Sequence, residues 1–309
     1  MPISTKFKRI ALRWAIILGV LVIVFFVGFV PWFLTDIVTR GRFHYPDPND
    51  GKSPVSYGLN FRWVDFHATD GIPLKGWFIP AAGPARGTII LCHGLNRTRI
   101  EMLPKAGFAH ALGYDALLFD FRHHGSSGGN ITTLGYQERF DVLGAVRYVR
   151  GELKAPKPVV AWGVSMGAAA ALMAAADSSE IDAVISDSTF LSLEDTAIHH
   201  LGLFLHLPAF PVVYEVVHWA AWRGGFRPSD LDLEKAVDRI GQRPILFVGV
   251  EGDRRMPPQI ARALFARSQS PGKQLLILPG TRHGEGFNQA REPYEKAVGR
   301  FLASIQEGK

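Results

Sequence analysis

Ser165 stands between two glycines, in Gly163-Val164-Ser165-Met166-Gly167, and here residue type and spacing first point to chemistry. An apolar, β-branched run at 159–162 leads into it, and an alanine-rich run that reads as helix follows. In a strand–turn–helix setting such a pentapeptide makes an elbow so tight that the serine hydroxyl stands clear of the sheet. Side chains two places before or after the serine would collide, which accounts for Gly163 and Gly167. A serine hydroxyl is a poor nucleophile at neutral pH and needs a neighbouring base, usually a histidine held by a carboxylate. Of the 11 histidines, His283 is best placed, on a Gly-rich loop after the last apolar run. Asp253 follows the apolar run 245–250 through Glu251-Gly252, and strand ends are where α/β sheets put their chemistry. Asp187, just past an earlier run, and Glu251 are the alternative acids.

The oxyanion of an acyl-transfer intermediate needs backbone N–H groups aimed at it. Two segments offer them: Cys92-His93-Gly94-Leu95 after the run 88–91, and the start of the helix after Ser165. The expected donors are the N–H groups of Leu95 and Met166. His93 and Gly94 are then loop supports, with His93 holding the loop through hydrogen bonds. Cys92 has the position of a buried strand residue and no catalytic role, and a lone cysteine excludes an internal disulfide. Further along, Asp120-Phe-Arg122-His123-His124-Gly125 closes the next strand, and Asp120 and Arg122 are expected to brace the loop as a bidentate pair. His123 and His124 lack partners at metal-ligand spacing, so no metal and no cofactor are expected.

These residues need a scaffold. Arg62–Ala68 alternates, Thr69-Asp70-Gly71 turns, and 74–80 runs back, which predicts an antiparallel hairpin. Short apolar strands at 88–92, 116–119, 159–162, 183–186, 245–250 and 274–278 then alternate with helices, including 102–112 and 135–153. That pattern predicts a mainly parallel twisted sheet covered on both faces. Residues 190–233 interrupt it with a long aromatic stretch punctuated by Pro208, Pro211 and Pro228, expected to be a helical lid over the strand ends.

Residues 14–34 carry no charge and are about as long as the ~30 Å hydrocarbon core of a bilayer. Trp14 and Trp32 sit near the two ends, where interfacial indoles belong. No small-residue cleavage site follows, so an uncleaved transmembrane anchor is expected rather than a signal peptide. Lys6, Lys8, Arg9 and Arg13 precede it, and Asp36, Arg40 and Arg42 follow, which puts residues 1–13 in the cytosol and the catalytic domain on the far side. Residues 35–61 read as a linker and 62–309 as the catalytic domain, so that deletion of 1–34 leaves a soluble, active unit. The sequon Asn96-Arg97-Thr98 falls in the oxyanion loop, where a glycan would obstruct the site, consistent with a bacterial chain. The net charge of +6, with no Lys/Arg block and no zinc-finger pattern, argues against a nucleic-acid partner and for an anionic membrane surface.

Taken together, His93-Gly94, Asp120 with Gly125-Ser126-Ser127-Gly128, the Ser165 elbow, Asp253 and His283 resemble the α/β-hydrolase superfamily over about 62–302. Among its branches the chain looks like the membrane-anchored, Bem46-like and monoacylglycerol-lipase-like esterases. The resemblance implies an α/β-hydrolase fold and a serine hydrolase acting on carboxylic esters or thioesters. The lid and anchor favour a small lipophilic acyl substrate such as a lysolipid or monoacylglycerol. A peptidase of the same fold and a catalytically silent binding protein are the alternatives. One departure stands out: the branch has Arg-Gly-His-Gly where this chain has Arg122-His123-His124-Gly125.

Overall fold

The computed structural model describes residues 5–41, 45–206 and 209–307. Residues 1–4, Arg42 and Pro208, which entered the readings of the N-terminus and the lid, lie outside the described residues. The chain opens with a helical rod: α1 (Thr5–Ile23), a π-helical stretch (Val24–Phe29) and α2 (Val30–Arg40). At 36 residues it is about 54 Å long, and a window within it has mean hydropathy 2.8, long and apolar enough to cross a membrane. Nothing in α1 is buried by the rest of the chain.

The predicted hairpin is β1 (Arg62–His67) paired antiparallel with β2 (Pro73–Ile79). Then follow β3 (Thr88–Cys92), α3 (Leu103–Ala111), β4 (Asp115–Phe119), α4 (Glu138–Gly151), β5 (Val159–Val164), α5 (Met166–Asp177) and β6 (Ala183–Asp187). The helices α6 (Leu193–Leu205), α7 (Tyr214–Arg223) and α8 (Leu233–Ile240) intervene before β7 (Ile245–Val250), α9 (Pro258–Arg267), β8 (Gln274–Leu278), α10 (Gly286–Gln289) and α11 (Arg291–Glu307). The strands make one eight-stranded sheet in the order β1-β2-β4-β3-β5-β6-β7-β8, parallel from β4 to β8. The central strands β3 to β7 are buried along their whole length, as strands covered on both faces must be.

One core packs β1, β4 and β5 against α4, α5 and α8; the other packs the opposite face against α3 and α11. Helix α5 is apolar all round because other elements surround it, and its alanines let α4, α8 and the sheet approach closely.

Three boundaries differ from the sequence reading. The apolar helix does not stop at Leu34 but continues to Arg40, because Thr35 and Thr39 are buried against the domain and their hydroxyls bond to carbonyls. The segment read as linker is partly folded, with a 3-10 turn at Pro54–Tyr57 and Asp47 and Asn49 buried. The helix expected over 135–153 begins at Glu138, because Leu134 and Gly135 both have positive φ and form a turn.

Candidate active site

Ser165 sits between β5 and α5 with φ +53° and ψ −117°. A non-glycine residue there costs about 1–3 kcal/mol and persists only where its surroundings enforce it. Here they do. A Cβ on Gly163 would run into the backbone of Gly167, and one on Gly167 into the Cys92 carbonyl. The elbow thus closes only with glycine at both positions.

The loop after β7 carries Asp253, which is buried, and the loop after β8 carries His283. The two loops are tied by bonds from Glu251 N–H to the Leu278 carbonyl and from Gly252 N–H to the Gly280 carbonyl. Asp253 Oδ1 accepts the N–H groups of Arg255 at 2.9 Å and Met256 at 3.0 Å. Its Oδ2 lies 2.7 Å from His283 Nδ1. A carboxylate only accepts, so Nδ1 carries the proton and Nε2 presents a lone pair. Ser165 Oγ lies 2.8 Å from that Nε2 and donates to it. Burial alone would raise the Asp253 carboxyl. The His283 hydrogen bond and charge, with the two N–H groups, outweigh burial and hold it below the ordinary carboxylate range. This is the arrangement in which an imidazole can take the serine proton while the carboxylate steadies the resulting charge.

The other acids are placed elsewhere. Asp187 accepts from Tyr294 Oη at 2.7 Å and from Ser188 Oγ at 2.9 Å, and burial raises its carboxyl. Tyr294 also accepts from Trp162 Nε1 at 3.2 Å, so Asp187 belongs to a buried structural network. Glu251 is exposed.

The loop 93–95 is braced by its neighbours. His93 Nδ1–H donates to the Gly94 carbonyl at 2.7 Å, and His93 Nε2 accepts Phe121 N–H at 3.0 Å. Gly94 N–H is taken by Glu101 Oε2 at 2.6 Å, which leaves Leu95 as the next donor in line. Met166 is the first residue of α5, so its N–H has no carbonyl one turn behind it. Among the described residues neither N–H has a partner in the chain, and Leu95 and Met166 border a cavity beside Ser165.

The expected Asp120–Arg122 pair does not form. Asp120 accepts Arg99 N–H at 2.8 Å, the Arg99 guanidinium, and Ser126 N–H at 2.8 Å. Arg122 points the other way. Its Nε and Nη2 donate to Asp141 Oδ1 at 2.9 and 2.7 Å, and Nη1 and Nη2 donate to Asp70 at 2.8 and 2.7 Å. A turn begins after Phe121, closed by His124 N–H to the Phe121 carbonyl at 3.0 Å, and Asp120 and Arg122 on either side of Phe121 each find partners from segments distant in sequence. Arg99, Glu101, Asp141 and Glu138 were not singled out from sequence. Glu138 is fully buried and accepts from Thr132 Oγ1, Thr133 Oγ1, Thr133 N–H and Gly135 N–H, fixing the turn that brings Leu134 to the cavity. Buried charges with such partners read as ordinary polar residues until the fold is known.

His123 occupies a position with φ +63°, the left-handed region that glycine enters freely. Its Nε2–H donates to the Arg40 carbonyl at 3.1 Å, at the C-terminus of α2. His124 Nδ1–H donates to the Arg122 carbonyl, and its Nε2 accepts Asn96 N–H. Burial holds both His93 and His124 below the ordinary imidazole range, and their mutual proximity lowers His93 further. On unfolding each returns to about 6.5. The unfolded chain then takes up these protons more readily than the fold, so stability falls as pH drops below about 6.5. Exchange of His124 for Asn, which keeps one donor and one acceptor, tests this. The wild-type advantage over His124→Asn should shrink between pH 7 and pH 5 in denaturant titrations; an advantage unchanged over that range contradicts it.

Two cavities meet at Ser165. One, of about 550 Å³, is mostly apolar and is lined by Leu34, Val38, Leu95, Phe190, Leu201 and Val217 among others. The other, of about 230 Å³, is more polar and is bordered by Arg97, Glu101, Arg255 and His283. Among the described residues no cluster of His, Cys, Asp and Glu could hold a metal ion.

Residues 87–208 match the family described as alpha/beta hydrolase fold. An esterase of Pyrococcus furiosus, Pf2001, superposes with a TM-score of 0.70 at 25% identity, covering 85% of this chain and 97% of its own. The chain is an α/β-hydrolase-fold protein. YqkD of Bacillus subtilis is 28% identical over 239 residues, 77% of each chain. Protein bem46 of Schizosaccharomyces pombe is 22% identical over 282 residues, 89% of this chain and 88% of its own. The bem46 match is long enough to take in part of the region before β1.

Proposed function

We propose that the chain is a membrane-anchored serine hydrolase that cleaves carboxylic esters or thioesters of a lipophilic acyl group. The observation that carries this reading is the chain of contacts from Ser165 Oγ to His283 Nε2 at 2.8 Å and from His283 Nδ1 to Asp253 at 2.7 Å. His283 takes the Ser165 proton as Oγ attacks the acyl carbon. The carbonyl oxygen becomes an oxyanion held by the N–H groups of Leu95 and Met166. The tetrahedral intermediate collapses, and the alcohol or thiol leaves with the proton from His283. Water, deprotonated by the same imidazole, then attacks the acyl-enzyme, and Ser165 recovers its proton as the carboxylic acid departs. The apolar cavity suits the acyl chain and the polar cavity the leaving group.

Helices α6 and α7 wall the apolar cavity and serve as the lid. The uncharged stretch 14–34 of the rod crosses the membrane with the N-terminus in the cytosol, by the excess of Lys6, Lys8, Arg9 and Arg13 before it. A panel of p-nitrophenyl esters and thioesters against the full chain in micelles tests the substrate class. Activity should peak at long acyl chains, and a preference for acetate would contradict the lipophilic reading.

A further inference from the structure

The apolar cavity beside Ser165 is not walled by the catalytic domain alone. Leu34, Thr35, Ile37 and Val38 of α2 line it together with α6 and α7. Several bonds hold α2 in place. Thr35 Oγ1 donates to the Val216 carbonyl at 3.2 Å, and Arg223 pairs with Asp36 at 3.1 Å. The last carbonyls of α2, which no helix bond can satisfy, accept from the domain: Thr132 N–H bonds to Thr39 O at 2.8 Å and His123 Nε2–H to Arg40 O at 3.1 Å. Further up the rod, the π-helical stretch Val24–Phe29 touches the turn Ala209–Val213 that leads into α7. The rod and α7 therefore run side by side from the apolar segment down to the cavity. Phe204 and Leu205 at the end of α6, Phe210 in the turn and Trp222 of α7 are exposed apolar side chains.

We propose that the last turns of the N-terminal helix, through Leu34 and Val38, form one wall of the acyl-chain site and set the length of chain it accepts. The anchor is then part of the substrate pocket. Leu34 and Val38 are four residues apart and share a helix face, and neither is sealed against protein, since Leu34 is half-buried and Val38 is 38% exposed. The ligand class is a long acyl chain, fitted by a cavity of about 550 Å³ whose α2, α6 and α7 linings are mainly apolar. Because Leu34 lies where the uncharged stretch ends, the cavity stands beside the bilayer surface from which such a chain would come. The effect on hydrolysis rests on Ser165 being the nucleophile, whereas binding of the chain does not.

The test uses the full chain in detergent micelles and two variants, Leu34→Trp and Val38→Trp, that fill the cavity from α2. For each, kcat/KM toward a palmitoyl ester should fall at least tenfold while that toward an acetyl ester stays within twofold. A parallel change in both esters, or no change in the palmitoyl ester, overturns the proposal. Native mass spectrometry with palmitate supplies a readout that needs no catalysis. Wild type and Ser165→Ala should each retain one palmitate, and Leu34→Trp should retain none. Equal retention by Leu34→Trp, or none by wild type, overturns the proposal as well. If the palmitate pattern holds while no ester is cleaved, the wall stands and the hydrolase reading fails.

Discussion

Ser165→Ala should lower kcat toward the best ester by about 10⁵–10⁶-fold, with the fold intact. His283→Ala should match it, and the double variant should lose little more, because the two groups act as a unit. Asp253→Asn should retain more, losing about 10⁴-fold, since its part is to hold the Nδ1–H tautomer and steady the charged ring rather than to touch the substrate. A fluorophosphonate probe should label wild type at Ser165 and leave Ser165→Ala unlabelled. A residual rate within tenfold of wild type in Ser165→Ala, or labelling at another residue, would remove Ser165 from the reaction. Stability should not fall in Ser165→Ala, because the hydroxyl contributes one partly exposed bond at a strained elbow.

The second large effect is on stability. Arg122→Met should destabilise the chain by about 3–5 kcal/mol, because it leaves the fully buried Asp141 carboxylate without its cation. That is a large part of the ~5–15 kcal/mol that typically holds a domain together. The double variant Arg122→Met with Asp141→Leu should recover most of the loss, since replacing both charges removes the orphan. Asp70, which faces Arg122 from a partly exposed position, can turn to water and should matter less. Denaturant titrations of Arg122→Met and of the double variant check this. If Arg122→Met lies within 1 kcal/mol of wild type, or the double variant is worse than the single, the account of this buried pair is wrong.

The sheet was legible in the sequence because the first strand alternates and the parallel strands are short apolar runs bounded by turn residues, which period and length suffice to find. Ser165 and His283 were legible for a different reason: an elbow leaves a glycine spacing, and a Gly-rich loop after the last strand has few other uses. The acid was harder. Asp187 ends one parallel strand and Asp253 follows another, and what separates them is the His283 contact to Asp253 and the bond from Tyr294, 107 residues beyond Asp187, to Asp187. The brace beneath the site was not legible, because Asp120 meets Arg99 and Arg122 meets Asp70 and Asp141 across loops that composition cannot relate. Nor was the true end of the N-terminal helix. Thr35, Asp36 and Thr39 look like the start of a polar linker, yet their partners Val216 and Arg223 make them part of a docked helix.

That docking bears on the order in which the chain is made. Thr35 leaves the ribosome 181 residues before the carbonyl that its hydroxyl will meet. At about 5–20 residues per second, the interval is roughly 10–35 s. Throughout it the N-terminal helix is complete while α7, the surface that receives Thr35 and Asp36, does not yet exist. A segment made early thus waits for partners made late, and the apolar cavity cannot close until they meet.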